Sequence, residues 1–206
     1  QVESVTPLKL IHKPNGELLF ALVHVEAKAE DGEPLLPTVL LRGRFVAVLT
    51  VLVSQEDGTP YLLLVKQRRN CNGGWFYEHP AGMTDREMDL EGVALRELEE
   101  EAGLSITRAD LTLLDPYPTY PSPGLLDESG YLFTVEQTLP EAAIRQLDGQ
   151  QHGAADEQEF IHTRVASIPE ALELIQNSVG QLHIYRYLHL KNKLDWLQGP
   201  TQPTWR

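Results

Sequence analysis

Residues 82–104 read GMTDREMDLEGVALRELEEEAGL, with eight acidic side chains and only two basic ones. A run this acidic reads first as a solvated surface helix. Its spacing argues otherwise. Asp89 suits a helix N-cap, and Gly103 suits a left-handed residue just past the C-terminus. Between them Leu90, Val93, Ala94, Leu98 and Ala102 recur at helical spacing. At about 100° per residue, Glu97 and Glu101 fall within roughly 20° of Leu90, in the middle of the apolar stripe. Glu100 lies on a shoulder of that stripe, and Glu99 points to solvent. Two carboxylates one turn apart, aimed where a helix places leucine, repel each other and lose hydration. A divalent cation compensates for both. Hard cations such as Mg2+ take oxygen ligands, and residues i and i+4 present theirs roughly 5–6 Å apart. Arg96 is placed to pin one of the pair.

These residues resemble a Nudix box, whose pattern is G-x5-E-x7-R-E-U-x-E-E-x-G-U with U a bulky aliphatic. Gly82, Arg96, Glu97, Leu98, Glu100, Glu101, Gly103 and Leu104 match in register. The first Glu of the pattern is replaced by Met88, flanked by Glu87 and Asp89.

The rest of the chain bounds the problem. Its 206 residues, 42% hydrophobic, suit one domain with a small appendage. The net charge of −13 disfavours nucleic acid and anionic membranes as partners, and an anionic substrate needs metal ions or local arginines. A single cysteine, Cys71, excludes an internal disulfide framework and fits a reducing cytosol, so a cytoplasmic location is expected. Cys71 reads as a bystander thiol in a loop. There is no apolar run of 18 residues and no signal-peptide pattern.

Residues 1–42 read as a β-rich extension with strand candidates at 8–12, 18–28 and 39–42. It is too small to stand alone and so packs on the main domain or on a second subunit. Residues 43–206 read as the main domain. FVAVLTVLVS, 45–54, is a β-branched apolar run suited to a strand buried on both faces, and 61–67 returns as its hairpin partner. Lys66-Gln67-Arg68-Arg69 is the densest basic cluster, serving either strand-end solubility or phosphate contact through Arg forks. A short strand at 75–79 leads to Pro80-Ala81-Gly82. His79 reads as a packing residue rather than a ligand. Strands are expected at 111–114, 131–135 and 160–165, and helices at 140–147, 167–177 and 182–197. The loop DPYPTYPSPGLLDESG, 115–130, is long and aromatic, as binding loops often are. Tyr117 and Tyr120 either stack on a base or shield the loop. GQQHGAADEQE, 149–159, is a polar loop ending in acids.

Order and spacing from about residue 36 to residue 190 are similar to the ADP-ribose and ADP-sugar pyrophosphatase branch of that family. LLRGRFVAVL, HPAGM, SPG followed by DES, and GQQHGAADEQEF each have counterparts there. The resemblance implies an α+β Nudix fold, a mixed β-sheet sandwiched between helices with a small N-terminal β extension. It implies that the Ala81 carbonyl, Glu97 and Glu101 bind Mg2+ (Mn2+ as a substitute), with Glu100 completing the cluster and Glu159 as a further ligand. Glu157 resembles the general base of this branch, with Glu97 or Glu100 as the alternative, and Glu128 an acid near metals and phosphates. Arg69 matches an arginine on the substrate diphosphate, with Arg68 beside it. The implied activity is hydrolysis of a small-molecule nucleotide sugar to AMP and sugar phosphate by a homodimer built through the N-terminal strands. Leu125-Leu126 stand where relatives carry glycine and small polar residues. The alternatives are a non-catalytic nucleotide-sugar sensor, or hydrolysis of a different substrate such as a UDP- or GDP-sugar or a dinucleotide.

Overall fold

The computed structural model describes residues 1–84, 88–153, 160–203 and 205. Its N-terminal strands β1 (Val2–His12), β2 (Leu18–Ala27) and β3 (Thr38–Leu41) form an antiparallel three-stranded sheet. β1 begins six residues before the start expected for it, because Val2, Ser4, Val5 and Thr6 pair along β2 although the Val2 and Val5 side chains stay exposed.

The second sheet is built from β4 (Arg44–Ser54), β5 (Pro60–Arg69), β6 (Gly74–Glu78), β7 (Ala81–Met83), β8 (Leu111–Leu113), β9 (Ser129–Leu139), β10 (Gln151–His152) and β11 (Ile161–Ser167). Its order is β10-β11-β5-β4-β9-β8, with β6 added on β5 and β7 on β4. All pairs are antiparallel except β4 with β9, where Arg44 lies opposite Ser129 and Ser54 opposite Leu139. A parallel pair needs a crossover, and the chain from β5 to β8 provides it.

The apolar run in β4 is buried on both faces, as its composition requires. Val46, Val48 and Leu52 face one way with Tyr61 and Leu63 of β5, and pack on α1 (Leu90–Ala102) and on Ile144 of α2 (Glu141–Gln146). Leu49 and Val51 face the other way with Leu62 and Leu64, and pack on α3 (Ile168–Leu174) and α4 (Ser178–Leu190). The result is a mixed sheet between helices, an α+β architecture.

Two expected helices end differently. The segment 167–177 is α3 followed by a break, because the Asn177 side chain caps α4 by accepting from the Gly180 N–H at 2.5 Å. The segment 182–197 divides into the end of α4 and a 3-10 turn, Leu194–Gln198, because Asn192 adopts φ 54° and stops the helix. The short strands β7 and β10 carry no sequence periodicity, since three and two residues are too few for alternation to register.

Candidate active site

The acidic helix is held at both ends as its sequence implies. Asp89 accepts from the Gly92 N–H at 3.1 Å, and Arg108 grips the same carboxylate and that of Glu91. The Arg108 guanidinium first, and the Gly92 N–H second, hold the Asp89 carboxyl down to about 2. Gly103 takes φ 65°, and its N–H reaches the Glu99 carbonyl at 3.0 Å. A side chain at Gly103 would also overlap the His152 ring, so this position needs glycine twice over.

The buried face of α1 comprises Val93, Ala94, Leu98, Ala102 and Glu101. Glu101, only 5% exposed, lies among aliphatic neighbours as the helical geometry predicts. Its Oε2 accepts from the Ala81 N–H at 2.8 Å, which fixes the carboxylate to the first residue of β7. Glu97, one turn earlier, lies against Gly82, where any Cβ would overlap its carboxyl group. Arg96 approaches Glu97 at 3.6 Å. Gly82 is therefore the gap in the sheet through which the Glu97 carboxylate meets backbone. Glu100 and Glu99 are exposed, and Met88, 82% exposed, projects into solvent.

Two further acids approach through the strands. Glu128 precedes β9 and pairs with Arg42 at 3.5 Å. Its neighbour Asp127 accepts from the Arg42 and Gly43 N–H groups at 2.6 and 3.1 Å, and Leu40 bridges Leu126 in parallel. The SPGLLDES segment is thus stitched to β3 and to the start of β4. Arg69 meets Glu78 at 2.7 Å, and Gln67 donates to the same carboxylate at 3.3 Å. Glu78 and Asp127 escaped sequence reasoning. The first needs the β5–β6 register, which puts Val65 opposite Glu78, and the second needs a contact across more than eighty residues.

The pleat separates two arginines that sequence proximity joins. Arg69 shares the α1 face with Leu63, whereas Arg68 turns to the α3–α4 face and stacks over Trp75 at 4.4 Å. Tyr117 and Tyr120 are 77% and 53% exposed, on the loop before β9. Glu157 and Glu159 lie outside the described residues. The Gly153 N–H donates to the Glu100 carbonyl at 3.1 Å, so the strand that leads to them is fastened to α1. Among the described residues, no three acidic, histidine or cysteine side chains converge closely enough to form a ready-made metal cluster.

The NUDIX domain family matches residues 43–188. The chain belongs to the Nudix family. Its Nudix box runs from β7 through α1 to the Gly103 cap. A "Nudix hydrolase 14, chloroplastic" of Arabidopsis thaliana is 38% identical over 144 residues, 66% of this chain and 46% of that protein. This Nudix chain therefore spans less than half the length of that relative. An "ADP-ribose pyrophosphatase" of Bacillus subtilis is 31% identical over 150 residues, 71% of this chain and 74% of that one. A second protein of that name, from Saccharomyces cerevisiae, is 38% identical over 100 residues, 47% of this chain and 41% of its own. A solved structure described as an ADP compounds hydrolase aligns with TM-score 0.62, covering 94% of this chain and 96% of its own at 16% identity, and so bears on the fold alone.

His79, expected to be a packing residue, is one. It is buried on the face opposite α1, edge-on to His183 at 5.0 Å, with Nε2 3.1 Å from the Gly180 carbonyl. Burial pushes its imidazole down to about 4.

Proposed function

We propose that this Nudix chain hydrolyses the diphosphate bond of a nucleoside diphosphate sugar, of the ADP-ribose or ADP-glucose type, to AMP and a sugar phosphate. The observation that carries the reading is the Glu97–Glu101 pair, turned inward against Gly82 and Ala81 rather than outward to water. The names borne by the Bacillus and yeast relatives support the substrate class.

The donor set fits a hard divalent ion. Glu97 and Glu101 offer oxygen only, and Glu101 is too deeply buried to be left as a solvated charge. In this reading Glu97, Glu101, Glu100, Glu159 and the Ala81 carbonyl hold Mg2+, with Mn2+ able to replace it. Bound there, the ion supplies positive charge that neutralises the diphosphate and makes a nearby water more acidic.

The remaining steps belong to side chains. Arg69 binds the diphosphate, its guanidinium aimed by Glu78 and Gln67. Glu128 bounds the phosphate pocket, held in place by Arg42 and by the Asp127 clamp. Glu157 takes the proton of the attacking water, with Glu97 or Glu100 as the alternative base. Tyr117 and Tyr120 offer exposed rings for the nucleobase.

Residues 1–42 are proposed as a dimerisation extension. Val2, Val5, Leu8, Leu10, Leu18 and Leu19 leave apolar side chains exposed on the small sheet, which suits burial against a second copy. Among the described residues no helix is long and apolar enough to cross a membrane. A cytoplasmic site of action is part of the proposal.

A panel of ADP-ribose, ADP-glucose, UDP-glucose and GDP-mannose with Mg2+, read by phosphomonoester release, tests the reading. Turnover of the ADP-sugars is expected. Tight binding without product would support a sensor instead, the reading that solvent-exposed Met88 in place of the box glutamate favours.

A further inference from the structure

The basic cluster at 66–69 is divided by the pleat of β5, and half of it takes no part in the site above. Lys66 and Arg68 point to the opposite face of the sheet, opposite Tyr77 and Trp75 of β6. Lys66 Nζ lies 4.7 Å from the Trp75 ring centre and 5.7 Å from that of Tyr77, and Arg68 lies 4.4 Å from Trp75. On the other side β11 brings His162 opposite Lys66, its ring edge-on to Trp75 at 6.0 Å. Lys66, Trp75, Tyr77, His162 and Arg164, with Asp148, border an open concavity of about 270 Å³, and Arg68 adjoins it through its contact with Trp75.

Three features of this hollow call for a ligand. Two of its cations lack an acidic partner: among the described residues neither Lys66 nor Arg68 meets a carboxylate within ion-pair distance, in a chain with 30 acids and 17 bases. The one carboxylate that lines the hollow, Asp148, accepts from the Val165 N–H at 2.8 Å, and Glu170 pairs with Arg164. Trp75 remains 39% exposed, although tryptophan is highly buried on average. The hollow, at about 270 Å³, is close in size to the smaller small-molecule sites, whose range is roughly 300–1,000 Å³.

We propose that this concavity is a second binding site, for a small phosphate monoester that carries an aromatic ring, the chemistry of a nucleoside monophosphate. Arg68 and Lys66 meet the phosphate, a forked and a point donor side by side. Trp75 and His162 receive the ring. The ligand lies across the sheet from Glu97 and Glu101 and needs neither of them. The proposal therefore stands or falls separately from the hydrolase reading.

The test is calorimetric titration of the full chain in EDTA, which removes divalent metal from the opposite face. The probes are AMP, adenosine and inorganic phosphate. AMP is expected to bind one to one with an affinity of about 1 mM or tighter, each fragment more weakly, and the affinity to fall with added salt. Lys66→Ala combined with Arg68→Ala should weaken AMP by at least ~10-fold, and Trp75→Leu should weaken it similarly. Circular dichroism of each variant establishes that the fold is retained. No saturation by about 10 mM AMP would overturn the site. So would loss of binding in Arg69→Ala with the double variant unaffected, because the ligand then sits only on the α1 face.

Discussion

The two faces of the large sheet bury ionisable groups in opposite ways, and they do so within three residues of one another. Ala81 leads to the α1 face, where Glu101 and Glu97 press their carboxylates against backbone. His79 goes to the α3–α4 face, where it packs on His183 inside a closed apolar layer. Desolvation holds both imidazoles well below their ordinary value of 6.5, His79 at about 4. The histidines meet burial by staying neutral. The carboxylates meet it with fixed neighbours, Glu101 on the Ala81 N–H and Glu97 in the space that a side chain at Gly82 would fill. Burial of a titratable group is therefore a poor guide to chemistry by itself. What distinguishes the α1 face is that its carboxylates are pressed on the backbone of one short strand, β7.

The contrast can be broken most forcefully at Glu101. Glu101→Gln keeps the Ala81 hydrogen bond through its amide oxygen but loses the charge. Turnover of ADP-ribose should fall by at least ~100-fold, the scale for one key electrostatic group. A variant within a few-fold of the parent protein would refute the role given to this face.

The histidine face should answer to pH instead. The folded-state pKa of His79 lies below the unfolded value, so the unfolded chain takes up the proton first as pH falls. Stability is fully present above about 6.5 and is lost progressively down to about 4, by about 2 kcal/mol between pH 7 and pH 5. His183 acts in the same direction. Urea denaturation at the two pH values measures it, and a flat profile would mean that the two imidazoles titrate alike in the folded and unfolded chain.

Gly82→Ala sharpens the contrast from the backbone side. The new methyl would displace the end of Glu97, a flexible side chain, and not the main chain. Activity should drop roughly tenfold while the melting temperature moves by no more than ~3 °C. Equal losses in both would assign the glycine to folding. The smallest effect is expected at Met88→Glu, which restores the box acid at a position facing solvent. Turnover should change by less than about threefold, the scale of an exposed charge.

How far the sequence could be read follows the same division. The two-faced burial of β4, the hairpin with β5, and the inward turn of Glu97 and Glu101 follow from periodicity, because periodicity reports which side of an element is covered. The separation of Arg68 from Arg69 was equally present in the alternation of β5. It was obscured because basic residues adjacent in sequence look like one cluster until a pleat is imposed. Asn177 and Asn192 look like ordinary polar positions, yet one begins a helix and the other halts one. Asp127 is beyond any local reading, since its partners Arg42 and Gly43 are brought to it only by the parallel pairing of β4 with β9.

That parallel pairing also sets the order in which the molecule can be made. Arg44 cannot find Ser129 until more than eighty further residues have been synthesised, and contacts of such span are slow to form. A nascent chain that has completed the acidic helix still lacks β9, and with it the clamp that holds Glu128. Competence should therefore emerge abruptly, late in synthesis, and not in proportion to the length already translated.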